Sequence, residues 1–181
     1  TDDARHGKWN HDFGQNCAGV LELEIKGRKG QRITARHAEV LLNGELFTKP
    51  LRSAKAKLEY VCGGEEETYC PKFTFMGFRY AELCGIEPEN VKVRMKVISS
   101  IDEETGDFFC SNESINRLQK NIRYSGFSNF LEIPTDCPQR DERLGWTGDI
   151  SVFASTACFN FNMNRFLRKW LIDVKAQQTK D

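Results

Sequence analysis

The chain has 181 residues, of which 39% are hydrophobic and 29% are charged, a composition typical of a soluble globular protein with one domain or two small ones. Its 26 basic side chains balance its 26 acidic ones, so no net electrostatic field favours a nucleic acid or an anionic membrane as partner. No run of about 18 apolar residues is present, which excludes a membrane-spanning helix.

The first residues predict an irregular lead-in followed by a strand. Residues 1–16 show no regular pattern and contain Asp12–Asn16, which we expect to turn, since glycine and asparagine accept left-handed backbone angles at little cost. Leu21, Leu23 and Ile25 then alternate with charged residues, the period-2 pattern of a half-buried strand.

Further strands follow at regular spacing through the first half of the chain. Asn43-Gly44 between apolar flanks indicates a two-residue hairpin, and the aromatic residues Phe73, Phe75, Phe78 and Tyr80 predict sandwich core rather than a binding platform. The remaining strands are expected at about residues 32–40, 58–62, 68–75, 78–83 and 91–97. About seven short strands separated by turns predict an antiparallel β-sandwich.

The pattern changes from strands to helices near Cys110. Ser111 and Asn112 are good helix caps, and apolar side chains recur at helical spacing in three later segments. The three apolar stripes comprise Ile115, Leu118, Ile122, Phe127 and Phe130; Val152, Phe153, Ala157 and Phe161; and Phe166, Leu167, Trp170, Leu171 and Val174. These stripes need more apolar partners than the segment supplies, so the helical part is expected to be incomplete.

Strands followed by helices predict an α+β multidomain chain. We expect a β-sandwich domain over residues 1–105 and a helical domain over residues 106–181. The acidic stretch 102–107 between them is typical of a linker.

The seven cysteines are widely scattered and form no Cys-x-x-Cys pair. Without histidines at zinc-ligand spacing they predict free, mostly buried thiols, and neither a metal nor another cofactor is expected. Free thiols persist in reducing compartments. Together with a polar first segment that does not resemble a signal peptide, they favour the cytoplasm over secretion, although a chain that starts at Thr1 leaves room for an upstream segment.

Residues 132–149 concentrate chemically capable side chains on an irregular backbone. They hold five carboxylates, two guanidiniums and one indole. Two prolines and two glycines in the same segment disfavour a regular helix. Long irregular connections in compact domains are usually functional, so we expect a site here. The three histidines, His6, His11 and His37, are far away in sequence, which disfavours a nucleophilic triad.

Glycoside hydrolysis is one reaction that these carboxylates suit, since it needs two carboxyl groups on opposite sides of the scissile bond, one of them a general acid. Glu142 is our candidate acid. Its side chain reaches further than that of Asp141, and Trp146, four residues on, is placed to stack on a sugar face and exclude water. An exposed Arg-Asp-Glu-Arg ion-pair cluster at residues 140–143 is an equally good interpretation.

Other residues of the segment also have structural interpretations. Asp149 suits the N-cap of a helix over residues 150–160, an interpretation compatible with a ligand role. Asp136 suits an Asx-turn. Cys137 is more often a packed thiol than a nucleophile when no base is nearby, and Trp146 between two glycines suits an ordinary core position.

The segment Asp136–Asp149, which reads DCPQRDERLGWTGD, resembles the signature of bacterial α-L-rhamnosidases of glycoside hydrolase family 78. Phe153–Ala157 and Lys169–Asp173 fit the same family. The first half of the chain resembles the sandwich domain that precedes the catalytic barrel in this family. The matching segments there are DFGQN at 12–16, RHAEV at 36–40, LRSA at 51–54 and FTFMGFRY at 73–80.

The resemblance implies a concanavalin-like β-sandwich followed by the first helices of an (α/α)6 barrel. It also implies inverting hydrolysis of terminal α-L-rhamnose in a rhamnose-containing glycoside or oligosaccharide. By the same resemblance, Glu142 would be the general acid, Asp136, Arg140 and Asp149 would bind rhamnose hydroxyls, and Trp146 would form part of the pocket wall.

The family's general base is a glutamate expected beyond Asp181, and no position of this chain matches it. Asp141 and Glu132 are conceivable substitutes that do not match the family's base. The chain is therefore expected to carry the acid half of an active site and to be inactive alone. A non-catalytic carbohydrate-binding or interaction module is the alternative function.

Overall fold

The computed structural model describes residues 7–179, which divide into two compact units. The sheet unit runs to Val97 and also includes Gln139–Asp141. The helical unit comprises Ile98–Pro138 and the residues from Glu142 onward. Antiparallel strands followed by helices confirm the predicted α+β class.

Eight strands form in the sheet unit, six of them in one antiparallel sheet. In chain order they are β1 (Trp9–Lys26), β2 (Arg32–Ala38), β3 (Leu41–Leu42), β4 (Glu45–Leu46), β5 (Lys57–Val61), β6 (Glu66–Tyr69), β7 (Met76–Cys84) and β8 (Val91–Val97). The large sheet runs in the order β5, β2, β7, β1, β6, with β8 also paired to β1, and β3 pairs with β4.

The long strand β1 organises the sheet because it pairs with three others. Gly19 is paired with both β7 and β8, and Leu23 is paired with both β6 and β8. Since a strand has only two edges, β7 and β6 must follow one another along one edge, while β8 occupies the other. Leu21, Leu23 and Ile25 are buried, as their alternation predicts.

The predicted irregular lead-in is wrong over residues 9–16, which form the first half of β1. Gly14 has a φ of +76° and donates its N–H to the Asp12 carboxylate at 2.7 Å. The pairing with β7 shifts register between Asp12 and Cys17, so the predicted turn residues form a β-bulge within a continuous strand. The bulge hides the strand because it breaks the alternation. Residues 1–6, with His6, lie outside the described part.

The hairpin prediction is confirmed, since Asn43 and Gly44 join β3 to β4 with φ of +53° and +83°. The strand predicted at residues 68–75 is wrong beyond Tyr69. β6 ends at Tyr69, and Pro71 soon after has no N–H with which to continue a ladder. Phe73, predicted as core, is fully exposed, whereas Phe78 is fully buried.

The core of the sheet unit surrounds Phe78 and, among residues 7–97, contains one buried histidine. His37 on β2 is 2% exposed, and its ring lies edge-on to that of Phe78 at 4.6 Å. Its Nδ1 is 2.8 Å from the carbonyl oxygen of Ala56. A carbonyl oxygen only accepts, so Nδ1 carries the proton of a neutral ring. Burial lowers the pKa of His37 to about 4.

The helical unit contains three helices and a short hairpin: α1 (Glu113–Asn129), β9 (Phe130–Leu131), β10 (Ile133–Pro134), α2 (Thr147–Asn160) and α3 (Asn164–Ala176). The predicted cap of α1 is confirmed, because the Asn112 side chain accepts hydrogen bonds from the N–H groups of Ser114 and Ile115. No helix in the described part of the chain is long and apolar enough to cross a bilayer.

The core of the helical unit is aromatic. The Phe130 ring lies 5.1 Å from Phe166 and 6.4 Å from Phe161. The stripe predicted on α1 is wrong at its start, since Ile115 and Leu118 are 45% and 57% exposed, and Phe130 lies beyond the helix end. This exposure agrees with the predicted shortage of core partners.

All seven cysteines are free, as predicted. Cys17, Cys62 and Cys137 are buried, three others are half-buried, and Cys158 is exposed, so the prediction of mostly buried thiols holds only in part. The cytoplasmic location inferred from these thiols stays a prediction.

Candidate active site

Two hydrogen bonds between Asp136 and Leu144 close the loop that carries the candidate site. The Asp136 N–H donates to the Leu144 carbonyl at 3.1 Å, and the Leu144 N–H donates to Asp136 Oδ1 at 2.9 Å. This bond spans eight residues and is of longer range than an Asx-turn. The Asx-turn interpretation of Asp136 stays a prediction. Thr135 is also fixed, since its N–H and hydroxyl donate to the Asn129 carbonyl at 2.8 and 3.0 Å. Cys137 is buried, as expected for a packed thiol.

Asp149 lies at the start of α2 but does not cap it. The helix begins at Thr147 with Trp146 as its N-cap residue, three residues before the start that the sequence suggests. Asp149 therefore lies in the first turn, where a carboxylate interacts favourably with the positive end of the helix dipole. Its side chain is exposed and free of an N-cap role.

Asp136 and Asp149 line the same cavity, which has a volume of about 400 Å³ and lies within the helical unit. Its walls also include Asn129 from the end of α1 and two aromatic side chains, Phe130 and Phe153. Two carboxylates and an amide beside apolar rings match a small polar ligand that also has an apolar face. The structure therefore brings together two of the predicted sugar-binding residues.

Glu142 and Trp146 form a second pair. The indole Nε1 of Trp146 donates a hydrogen bond of 2.9 Å to Glu142 Oε1, which fixes the orientation of the carboxyl group. Trp146 is 48% exposed, so its interpretation as a core residue is wrong. Among the described residues, neither member of the pair belongs to the walls of the cavity.

Arg140 and Asp141 lie in the three-residue segment that belongs to the sheet unit. Arg140 is half-buried. The Ser53 hydroxyl donates to Asp141 Oδ2, and the Ser53 N–H donates to the same oxygen at 3.3 Å. These bonds hold the pKa of Asp141 below its usual value, since they favour the charged form. Asp141 is thus an ionised acceptor for Ser53. Glu132, the other conceivable base, is exposed and has a φ of +61°.

Ser53→Ala should raise the pKa of Asp141 towards its usual value, because the hydroxyl is the largest cause of the lowering. An NMR titration of the side-chain carboxyl resonances measures this shift. Asp12 provides an internal control in the same unit, since its hydrogen bond with Arg79 lowers its pKa to about 2 independently of Ser53. An unchanged Asp141 titration in the variant would contradict the assignment.

Phe130, Phe153 and Asn129 line the cavity without having been predicted as site residues. The two phenylalanines had a sequence signal only as helix-stripe positions, and Asn129 had none. Their role depends on α1 and α2 converging on one cavity, which local pattern does not encode. The described residues contain no group of three or more His, Cys, Asp or Glu side chains placed to hold a metal ion.

Two family models match consecutive parts of the chain. The bacterial α-L-rhamnosidase concanavalin-like domain matches residues 2–101, and the bacterial α-L-rhamnosidase 6 hairpin glycosidase domain matches residues 103–181. An α-L-rhamnosidase from Streptomyces avermitilis is 45% identical over 174 residues, which cover 94% of this chain and 17% of that protein.

Solved structures give the same result. The α-L-rhamnosidase of Dictyoglumus thermophilum matches with a TM-score of 0.90 and 40% identity over 96% of this chain and 20% of that one. The native enzyme from Aspergillus terreus matches with a TM-score of 0.88 and 47% identity over 95% and 20%. The Streptomyces avermitilis enzyme complexed with L-rhamnose matches with a TM-score of 0.87 and 41% identity over 98% and 18%.

The chain thus spans about a fifth of the length of the relatives that it matches. Both halves match consecutive domains of one kind of protein, in the order in which the sheet and helical units occur here. The chain belongs to the bacterial α-L-rhamnosidase family.

Proposed function

We propose that this chain supplies the general-acid half of an inverting α-L-rhamnosidase site, with Glu142 as the acid. The observation that carries the proposal is the cavity shared by Asp136 and Asp149, because both residues come from the segment that resembles the family signature. A related protein has been solved with L-rhamnose, which supports the same ligand here.

The cavity suits a 6-deoxy sugar. Carboxylates accept hydrogen bonds only, so Asp136 and Asp149 would each accept from rhamnose hydroxyls. Phe130 and Phe153 would face the methyl group and C–H bonds of the ring, which polar walls would not stabilise. Neither Arg140 nor Trp146 lines this cavity. Their roles as a donor to a rhamnose hydroxyl and as part of the site wall rest on the resemblance of the segment to the family signature.

Glu142 would act on the glycosidic oxygen. As the C–O bond breaks, its carboxyl group would transfer a proton to the departing oxygen, which leaves as a neutral alcohol. Water would attack the opposite face of the sugar and lose its proton to a base roughly 6.5–9.5 Å from the acid. We place this base outside the 181 residues, since Asp141 binds Ser53. The chain alone is therefore expected to be inactive.

Rhamnose binding tests the pocket separately from turnover. Asp149→Ala should weaken binding of L-rhamnose about tenfold or more, because a hydrogen bond to a charged group contributes about 1.5–3 kcal/mol. Isothermal titration calorimetry on the 181-residue chain measures this loss.

Asp102→Ala is the matched control, since Asp102 is an exposed carboxylate of the helical unit outside the cavity walls. Equal weakening in both variants would contradict the pocket assignment. Binding that survives Asp149→Ala but is lost on changes in the sheet unit would favour a carbohydrate-binding module instead.

A further inference from the structure

Helix α3 packs against the candidate site segment through Trp170. A Cβ placed on Gly145 would lie 2.6 Å from Cη2 and 2.9 Å from Cζ3 of Trp170, and 3.3 Å from Cδ1 of Ile133. Separations below 3.0 Å are shorter than packed carbon atoms tolerate. Gly145 does not have a positive φ, so a larger residue is disfavoured here by the Trp170 ring rather than by backbone conformation.

Gly145 connects the two parts of the proposed site. On one side, Leu144 is hydrogen-bonded to Asp136 through both its N–H and its carbonyl, and Asp136 lines the cavity. On the other side, Trp146 donates to the Glu142 carboxyl. A displacement of the backbone at Gly145 would therefore disturb the hydrogen bonds between Asp136 and Leu144 that close the loop. It would also move the indole that orients the candidate acid.

The neighbouring residue of α3 holds the other end of the segment. Lys169 Nζ donates to the Glu132 carbonyl oxygen at 3.2 Å and forms an ion pair of 2.7 Å with Asp173 one turn further on. Two adjacent residues of one helix thus contact the segment before Asp136 and after Leu144. A short hydrogen-bonded helix is a rigid support compared with the irregular backbone it contacts.

We propose that Trp170 is a positioning residue for proton transfer, which acts through Gly145 and Trp146 on the carboxyl of Glu142. The proposal rests on the proposed function, because it needs Glu142 to be the acid. Removing the ring would leave Glu142 in place chemically but let its carboxyl move away from the glycosidic oxygen. A misplacement of about 1 Å lowers a rate by about 100-fold.

The dependence of rate on leaving group separates this role from a structural one. A 2,4-dinitrophenoxide departs without protonation, whereas 4-methoxyphenoxide needs the proton of a general acid. In the complete protein that contains this sequence, Trp170→Ala should lower kcat for 4-methoxyphenyl α-L-rhamnoside about 10- to 100-fold. For the dinitrophenyl substrate the loss should stay below about threefold, since no proton transfer is required. A loss of folded protein would lower both rates equally.

Gly145→Ala tests the same contact from the other side. We expect the same leaving-group pattern, because the new methyl group must displace either the ring or the segment. In the double variant Gly145→Ala, Trp170→Ala the clash is absent, so its kcat should equal that of Trp170→Ala rather than show the product of the two losses. Gly148→Ala is the control, since a Cβ there meets nothing within 4 Å.

The outcomes distinguish the assignment of Glu142 as the acid from the positioning role of Trp170. If Glu142→Gln shows no leaving-group dependence, the assignment of the acid is overturned and the role of Trp170 with it. If Glu142→Gln shows the dependence but Trp170→Ala and Gly145→Ala lower both substrates equally, only the positioning role is overturned. Independent, multiplicative losses in the double variant would also overturn it.

Discussion

Glu142→Gln should lower kcat for a rhamnoside with a poor leaving group by about 10²–10⁴-fold, the contribution that a positioned general acid makes. The amide keeps the size of the side chain and still accepts the Trp146 hydrogen bond, so the pocket should be preserved. KM should change little, because the lost interaction exists only in the transition state. Steady-state kinetics of the complete protein with 4-methoxyphenyl α-L-rhamnoside measure the effect.

A matched carboxylate distinguishes the acid from a base in the same segment. Glu132→Gln should change kcat by less than about threefold, since an exposed carboxylate without a catalytic role contributes little. If Glu132 activated the water instead, its loss would slow substrates with good and poor leaving groups alike. That result would contradict the placement of the base outside the 181 residues. A Glu142→Gln variant with full activity on the poor substrate would contradict the assignment of the acid.

Acidification should destabilise the sheet unit through His37. Its pKa is lowered from 6.5 to about 4 in the folded protein, so below pH 6.5 the unfolded state binds a proton that the folded state does not. The stabilisation is therefore fully present above pH 6.5 and decreases as pH falls towards about 4. A shift of this size corresponds to about 3 kcal/mol in the free energy of unfolding.

His37→Asn removes the titrating group and keeps an amide N–H that can donate to the Ala56 carbonyl. Whatever its stability at neutral pH, the free energy of unfolding of the variant should lose most of its pH dependence between pH 6.5 and 4. Hydrogen exchange of β2 amides in urea, measured at several pH values, reports this unit separately from the helical one. His11→Asn on β1 is the control. The same pH slope in His37→Asn and the unsubstituted chain would contradict the prediction.

Sequence pattern predicted those elements whose signals are local. Asn43-Gly44 specified its hairpin because two positive φ angles suit these residues, and Asn112 specified the start of α1 through its own side chain. Local pattern does not reveal the first half of β1, because one bulge near Gly14 interrupts the alternation on which strand prediction depends.

The candidate site was only partly predictable. Residues Asp136 and Asp149 were identified from a motif, but their shared cavity depends on where α1 and α2 converge. In the sequence, the only sign of the contact between Trp170 and Gly145 is the glycine itself, and a glycine is equally common in turns. Tertiary contacts of this kind involve residues distant in sequence, so no local rule specifies them.

The discontinuity of the sheet unit has a consequence for synthesis. Ser53 is made 88 residues before the Asp141 carboxylate that accepts its hydrogen bonds. At roughly 5–20 residues per second, this delay is on the order of 4–18 s. Every strand of the sheet can pair in that time, but the Ser53 turn cannot reach its final state until Gln139–Asp141 have left the ribosome. A chain cut after residue 105 would keep all eight strands of the unit and lack the acceptor for Ser53.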